Sequence, residues 1–403
     1  MTGVIAGARR GLRVGLCIAV AACGARTRPL ELAAAAPPDS SLDAKQANDA
    51  APALDAGADA IDGRPAADCP PVTAGWTQSI VATRPSSYAL AADPRCGVTI
   101  VVADSASTIE VVTFDARGAA VHAPLGLTGK VAAATLHGAE LHVLYNDGRT
   151  LQHAVRRDGA IVATELVDPS GLGVGELIVD AAGVVHAVYM ASTPSPSDVR
   201  YAARRSSWSV ERVDSRPAFE PTLALGRDGT PIVAYQYVSS PSDHACVVGT
   251  RTAGGWSLTD LPRLDEHSSS NPCTVRATRD GDVEITFGAY RPEGFVLRHA
   301  RGPIGALRFE TIDRAGSFGV DVGAAAIDPA GVLRAAYRGV EPGSPLKLAL
   351  ARVGVGATIE TIPDAAGAGG VLVVVDGADV THVVYDRDGK LVHAARGTAA
   401  GAL

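Results

Sequence analysis

Residues 141–145, Leu-His-Val-Leu-Tyr145, form a short apolar segment that ends in an aromatic residue, and this segment decides the fold. Similar segments recur along the chain, with their aromatic residues at Tyr189, Tyr235, Phe287, Tyr337 and Tyr385. The successive spacings are 44, 46, 52, 50 and 48 residues. A weaker copy, Gly97 to Ala103, ends 42 residues before Tyr145. A short apolar segment of this kind is typical of a buried strand, and its recurrence at a near-constant period indicates a repeat architecture.

The residues around each copy complete the repeat. Most copies follow a turn such as Asp228-Gly229 or Asp376-Gly377, in which Asp can cap its own turn and Gly supplies a positive φ. Each copy is therefore predicted to be the second strand of a hairpin. A third strand and a seven-residue fourth strand follow, as in Leu151 to Arg156 and Val162 to Asp168. Four short strands in each unit of about 47 residues are typical of a β-propeller blade.

The two ends of the repeat region fit together. The last unit, Gly370 to Arg396, contains three strands, and its fourth would begin near residue 404, past the last residue. The segment Gly75 to Ala82 has the form of that missing strand. We therefore predict an all-β, seven-bladed β-propeller of four-stranded antiparallel blades over residues 71–403, closed by strand 75–82. Closure of this kind removes open sheet edges. The count of fourth strands reaches seven if a weak strand lies near Gly118 to Ala123.

The pattern over about residues 72–397 resembles the sialidase-like and BNR-like seven-bladed propellers of secreted bacterial proteins. The Asp-box of true sialidases, Ser-x-Asp-x-Gly-x-x-Trp, is absent from the sequence. The Asp-Gly turns here join the first and second strands, whereas that family places its box between the third and fourth. The arginine cluster, the Tyr and Glu nucleophile pair and the acid carboxylate of sialidases cannot be assigned either. The resemblance therefore implies the fold without the glycosidase activity.

The N-terminus carries an export signal. Arg9, Arg10 and Arg13 precede a nine-residue apolar stretch, Val14 to Ala22, which is too short to span a bilayer as a helix. Val20-Ala-Ala-Cys23 resembles the lipobox of a bacterial lipoprotein, which implies a signal peptide over residues 1–22 and a lipid anchor at Cys23. Gly24, in place of Asp, favours an outer-membrane lipoprotein, on the periplasmic face or the cell surface. An ordinary secretory signal that leaves a soluble protein is the alternative.

Residues 23–70 are rich in Ala, Pro and Asp, with almost no aromatic or β-branched residues. Such a segment cannot bury enough apolar surface to offset its chain entropy, so we predict a flexible tether. The longest later uncharged run, Ala365 to Val375, has eleven residues, which predicts no second membrane segment. The chain has 36 basic and 43 acidic residues, and its basic residues are scattered, so nucleic acid is excluded as a partner.

The six cysteines divide by position. Cys17 leaves with the signal and Cys23 takes the lipid. The remaining four reach an oxidising compartment, where disulfides form. Alternate propeller loops lie on opposite faces, which places Cys69 with Cys96 and Cys246 with Cys273. We predict these two disulfides, while free thiols or another pairing stay open.

Few residues point to chemistry. The histidines recur at equivalent strand positions, which favours packing inside the blades over metal binding. Asp386-Arg-Asp388-Gly389 is interpreted as a solvated turn, because one short acidic turn offers too few ligands for Ca²⁺. No catalytic residue, metal site or cofactor is predicted.

The loops between second and third strands are the longest and most varied, and loops on a rigid scaffold carry function. The candidate ligand-binding residues are the polar ones that follow the aromatic residue in four copies: Asn146, Gln236, Arg338 and Asp386.

Two functions remain. The first is a lipid-anchored cell-envelope propeller that acts as a non-enzymatic binding or scaffold module for a glycan, a peptide or an envelope protein. The second is a secreted glycan hydrolase or lyase with a carboxylate pair in the central funnel, about 5 to 9.5 Å apart. The sequence favours the first, since no catalytic constellation appears. A purely structural surface protein would differ from the first only in lacking a saturable ligand.

Overall fold

The computed structural model describes residues 75–397 except 115–117, 192–196, 241–242, 262–272, 279, 292–293, 317–319, 329, 340–342 and 353. The predicted signal peptide, Cys23, the tether and Cys69 lie outside these ranges. The described residues form 28 strands and a short 3₁₀-helix, Ile304–Ala306. Within the described ranges, no helix is long and apolar enough to cross a membrane.

The strands form seven four-stranded antiparallel sheets, which are the blades of a β-propeller. In each blade we name the strands A to D from the centre outward. The first strand of the chain, β1 (Gly75–Thr83), is strand D of blade 7. Blades 1 to 3 contain, in order A to D, β2 (Ser87–Ala92), β3 (Val98–Ala103), β4 (Thr108–Phe114) and β5 (Ala120–Thr128); β6 (Lys130–His137), β7 (Glu140–Asn146), β8 (Leu151–Arg157) and β9 (Ala160–Asp168); β10 (Gly171–Val179), β11 (Val185–Ala191), β12 (Asp198–Arg204) and β13 (Trp208–Asp214).

Blades 4 to 7 follow in the same order. They contain β14 (Ala218–Leu225), β15 (Pro231–Ser240), β16 (Asp243–Thr252) and β17 (Gly255–Asp260); β18 (Thr274–Ala277), β19 (Val283–Arg291), β20 (Gly294–Gly302) and β21 (Arg308–Gly316); β22 (Val320–Ile327), β23 (Leu333–Gly339), β24 (Leu346–Arg352) and β25 (Gly356–Thr361); and β26 (Gly369–Val375), β27 (Thr381–Arg387) and β28 (Lys390–Gly397). The predicted seven-bladed fold is confirmed.

The ring closes as the ends of the repeat predicted. Strand β1 pairs antiparallel with β28, from Gly75 opposite Gly397 to Thr83 opposite Lys390. Each A strand also contacts the A strand of the next blade, including β26 with β2 across the closure. The weak strand predicted near Gly118 to Ala123 is β5, which extends to Thr128.

The hydrophobic core lies between neighbouring blades. One cluster joins Val101 and Ile109 of blade 1 to Val143 and Tyr145 of blade 2. The recurring aromatic residue of the B strands in blades 2 to 7 is buried at these junctions, which explains its recurrence. Mostly Ala and Val occupy the other core positions, and such small residues let the blades approach closely.

Polar contacts join some blades at the rim. Glu165 of β9 binds the Arg204 guanidinium and accepts a hydrogen bond from Trp208 Nε1 at 3.1 Å, both in blade 3. Equivalent pairs join Arg251 to Glu211 and Arg396 to Glu360.

The predicted Cys246–Cys273 disulfide is present, with the two Cα atoms 5.5 Å apart. It joins strand C of blade 4 to the residue that precedes strand A of blade 5. Cys96 is also disulfide-bonded. Because Cys69 lies outside the described residues, its pairing with Cys96 stays a prediction.

Candidate functional site

The candidate site is the mouth of the central channel on the face that carries the B–C and D–A connections, here called the B–C face. The four predicted residues lie on this face, each directly after the aromatic end of a B strand, in blades 2, 4, 6 and 7. They are thus spread around the ring. The loops between B and C strands fall partly outside the described residues, so the predicted ligand-binding role remains a prediction.

Two of the four residues support the beginnings of A strands. Asn146 Nδ2 donates to the Gly171 carbonyl at 2.6 Å, and its Oδ1 accepts from the Gly148 N–H at 2.8 Å. The Asp386 carboxylate lies beside Gly370 and interacts with Tyr88 of blade 1. Burial, and then this carboxylate, raise the pKa of Tyr88, so its hydroxyl remains a proton donor.

Gln236 is buried, and the Arg338 side chain is half-buried. Both side chains also have interaction partners within the protein.

The A strands are irregular where they begin, on the B–C face. Register shifts relative to strand B occur at Val131/Ala133, Gly171/Gly175, Phe219/Thr222, Val320/Val322 and Gly369/Leu372. Bulges bend a strand and redirect its side chains, and they are frequent beside functional sites. Here they open five of the seven A strands toward the channel.

Three large apolar side chains are exposed at this position. Leu172 and Val174 of β10 are 41% and 45% exposed, and Phe219 of the adjacent β14 is 46% exposed. On an innermost strand, solvent is reached only through the channel or its mouth. We call these three residues the funnel wall.

Glycines explain how β10 presents this wall. A Cβ on Gly175 would stand 1.9 Å from the Val188 carbonyl oxygen of strand B, so only glycine fits there. Gly173 has φ +79°, and a Cβ there would stand 2.8 Å from Asn146 Cβ. In the Gly-Leu-Gly-Val-Gly sequence, the glycines therefore face the neighbouring strands, and the apolar side chains between them face the mouth of the channel.

An ion pair crosses the channel below the wall. Glu176 Oε1 lies 2.9 Å from Arg276 Nη2 of β18, and Glu176 Oε2 accepts from Arg276 Nη1 at 3.1 Å. Glu176 Oε2 also accepts from the Leu223 N–H at 2.7 Å. Arg276 Nε donates to the Ala325 carbonyl at 2.9 Å, and Nη1 donates to the Val275 carbonyl at 2.7 Å. The pair therefore links the A strands of blades 3, 4, 5 and 6.

Three tyrosines near the outer part of the B–C face share one arrangement. Tyr189, Tyr235 and Tyr337 donate to Asp168, Asp214 and Asp313, each on strand D of the preceding blade. A cation binds each carboxylate: Arg200, Arg216 and Lys347. Burial, and then the hydrogen bond to aspartate, raise the pKa of each tyrosine, so these phenols stay protonated.

Asp168 shows what holds such a carboxylate ionised. Burial acts to raise its pKa, but hydrogen bonds from the Ser170 backbone, Tyr189, Ser170 Oγ and Arg200 outweigh burial and lower it. The clusters thus lock neighbouring blades together.

The opposite face is built from A–B turns. Asp180, Asp328 and Asp376 each accept two backbone hydrogen bonds within their own turns. Each also binds the side chain six residues later: His186, Arg334 or His382. A cavity of about 600 Å³ lies among the turns of blades 5, 6 and 7. Because Asp328 and Asp376 are buried in these contacts, the charges lining this cavity are largely satisfied within the protein.

Most histidines lie inside the blades, as predicted. His142 Nδ1 lies 3.1 Å from His153 Nε2, and His382 Nδ1 lies 2.9 Å from His393 Nε2. His299 lies between Glu284 and Glu310. Within the described ranges, no group of three or more His, Cys, Asp or Glu residues is placed to hold a metal ion.

The residues predicted from the sequence lie on this same face but do not include those of the funnel wall and the ion pair. Leu172, Val174, Phe219, Glu176 and Arg276 were not among the predicted ones. One usable signal existed, the alternating glycines of residues 171–175, which mark an irregular strand. No sequence signal indicated the pairing of Glu176 with Arg276, because the two residues are 100 positions apart.

Comparisons with solved structures give the fold. The chain is similar to an ulvan lyase described as a new family of polysaccharide lyase, with TM-score 0.55 and 12% identity over 79% of this chain and 95% of that chain. It is also similar to Kuenenia stuttgartiensis hydrazine synthase, with TM-score 0.55 and 12% identity over 78% of this chain and 96% of that chain.

A streptogramin B lyase structure gives TM-score 0.50 and 12% identity over 79% and 97%. At these identities the likeness shows the propeller fold alone. No protein-family model and no curated protein sequence matches the chain.

Proposed function

We propose that the protein is a lipid-anchored cell-envelope propeller that binds a glycan at the funnel mouth of its B–C face without chemically changing it. The observation that carries this proposal is the funnel wall of Leu172, Val174 and Phe219, exposed on the innermost strands. Large apolar side chains that stay exposed on a rigid scaffold mark binding sites.

The shape of the site supports a glycan. An exposed Phe ring and two aliphatic side chains give an apolar surface for the C–H face of a sugar ring. The free edges of the A strands add backbone N–H and C=O groups along the channel, which can hydrogen-bond to hydroxyls. The disulfide, the ring closure and the tyrosine clusters hold this face in place, and such preorganisation lowers the entropic cost of binding.

A glycan lyase is the second candidate. The fold shared with an ulvan lyase is compatible with it. The observation that favours it is the contact between Tyr88 and Asp386 beside the funnel, because a protonated phenol next to a carboxylate is a donor and acceptor pair.

Thermal unfolding with a panel of envelope and algal polysaccharides tests the proposal. A ligand at a hundred times its dissociation constant should add about 2.7 kcal/mol to the free energy of unfolding. Phe219→Ala should abolish the shift. Val210→Ala is the matched control, because Val210 is 41% exposed on the outermost strand of blade 3 and should leave the shift intact.

Release of unsaturated sugar products, lost in Tyr88→Phe, would replace the binding function by the lyase. Absence of any shift across the panel, or an equal loss in both variants, would overturn the glycan site at the funnel mouth.

A further inference from the structure

The ion pair below the funnel wall has the geometry of a carboxylate recognition site that the protein's own glutamate fills. Arg276 presents Nη1 and Nη2 to both oxygens of Glu176, which is the bidentate arrangement that guanidinium groups make with carboxylates. The two side chains are 26% and 25% exposed, so solvent reaches both from the channel.

Arg276 is held independently of Glu176. Its Nε–H donates to the Ala325 carbonyl in blade 6, and one Nη1–H donates to the Val275 carbonyl of its own strand. These backbone acceptors fix the guanidinium plane in the channel. One N–H on Nη2 has no acceptor among the described residues.

Glu176 is held more weakly. Besides Arg276, its only described partner is the Leu223 N–H. It lies on β10 together with Leu172 and Val174. These three residues occupy every second position of the strand, from the mouth of the channel inward. A ligand that lies along the funnel wall and extends into the channel would therefore contact the Arg276 guanidinium.

We propose that Arg276 recognises a carboxylate of the ligand, so that the glycan bound at the funnel is an acidic saccharide containing uronate sugars. This inference rests on the glycan-binding function proposed above. Glu176 occupies the guanidinium in the free protein, and the uronate carboxylate displaces it or shares the remaining Nη2 hydrogen. The funnel wall holds the sugar ring while Arg276 selects its charge.

Paired ligands test the charge selection. We would measure binding of tetrasaccharides of glucuronate, galacturonate and mannuronate, each as the free acid and as its methyl ester, which keeps the shape and removes the charge. The acid form of one should bind the full-length protein about tenfold more tightly than its ester, because a charge-assisted hydrogen bond is lost in the ester. The preference should shrink at high salt.

Two variants give opposite results. Arg276→Lys, which keeps the charge and loses the fixed fork, should reduce acid binding about tenfold and leave ester binding unchanged. Glu176→Gln should increase acid binding several-fold, because it removes the competing carboxylate. A merely structural ion pair would weaken both forms in both variants. Because Arg276→Lys could also destabilise the ring, its thermal unfolding is compared with that of the wild type, and Glu176→Gln decides the question if it fails to fold.

The outcomes separate this inference from the proposed function. Equal binding of acid and ester, lost in Phe219→Ala, would keep the glycan site and overturn the role of Arg276. Binding of an acidic peptide such as oligoglutamate in preference to all the uronates would overturn both. No gain in Glu176→Gln would also overturn the inference.

Discussion

Two buried histidines, His153 and His393, should lower the stability of this propeller in mild acid. Burial, and then the neighbouring histidine, lower the pKa of His153 and of His393 to about 3. In the unfolded chain both titrate near the ordinary value of about 6.5. Above that pH both states are neutral and the two residues contribute no pH dependence. Below about pH 6.5 these histidines become protonated in the unfolded chain, but in the folded chain they stay neutral down to about pH 3. The free energy of unfolding therefore falls as the pH falls from about 6.5 to about 3.

We predict that each of these histidines reduces the free energy of unfolding by about 2 kcal/mol between pH 6.5 and pH 5, a range in which most carboxylates stay ionised. Urea unfolding at the two pH values measures the loss. His393→Gln, which can still hydrogen-bond to His382, should reduce this loss by about 2 kcal/mol. The control is Val210→Ala, an exposed substitution on the outer strand of blade 3 that removes no titratable group and should leave the difference unchanged. An equal loss in the wild type and His393→Gln would show that another group causes it.

His299 acts in the opposite direction. Burial acts to lower its pKa, but Glu284 and Glu310 outweigh burial and raise it. Its contribution is fully present below about pH 6.5 and is lost as the pH rises through the raised value. The dependence of the free energy of unfolding on pH in acid therefore reflects both the histidines with a lowered pKa and His299 with its raised pKa. His299→Gln should make the loss of stability on acidification steeper.

Strand β1 is the element on which closure of the ring depends. It supplies the outer strand of blade 7 from the opposite end of the chain, and without it the paired edge of β28 is exposed. Removal of residues 1–83 should therefore give a protein that unfolds at lower temperature and aggregates through this edge. The matched protein, which lacks residues 1–68 and keeps both Cys69 and β1, should unfold like the full chain. Light scattering during a thermal scan distinguishes the two, and identical scans would contradict the closure role.

At the same scale, the sequence predicted nearly all of the elements. The aromatic-ended strands, the Asp-Gly turns and the match of residues 75–82 to a missing outer strand depend on local periodicity, which a sequence displays directly. Strand ends were less certain. The fourth strand of blade 2 was predicted over Val162 to Asp168 and extends over Ala160–Asp168, because pairing with β8 prolongs it.

The site was far less predictable than the strands. The exposure of Phe219 depends on a bulge in β14 that becomes visible only when the A strand is paired with β15. The Glu176–Arg276 pair depends on the ring, which brings together strands of blades 3 and 5. Local patterns carry no information on such contacts, so candidates chosen by strand position, such as Asn146, lie on the same face as the funnel wall but do not include its residues.

For the whole molecule, the last prediction concerns the proposed lipid anchor at Cys23. The sequence at residues 20–23 predicts that Cys23 is acylated, and several acyl chains on one residue bind a bilayer firmly because each buried methylene contributes about 0.8 kcal/mol. We predict that the wild-type protein sediments with membranes and dissolves only in detergent. Cys23→Ala should move it to the soluble fraction with its thermal unfolding unchanged, since the anchor lies outside the ring. Cys17→Ala, within the predicted signal peptide, is the control and should leave the protein on the membrane. Sedimentation of Cys23→Ala with the membranes would show that the propeller itself, or a partner in the envelope, holds the protein there.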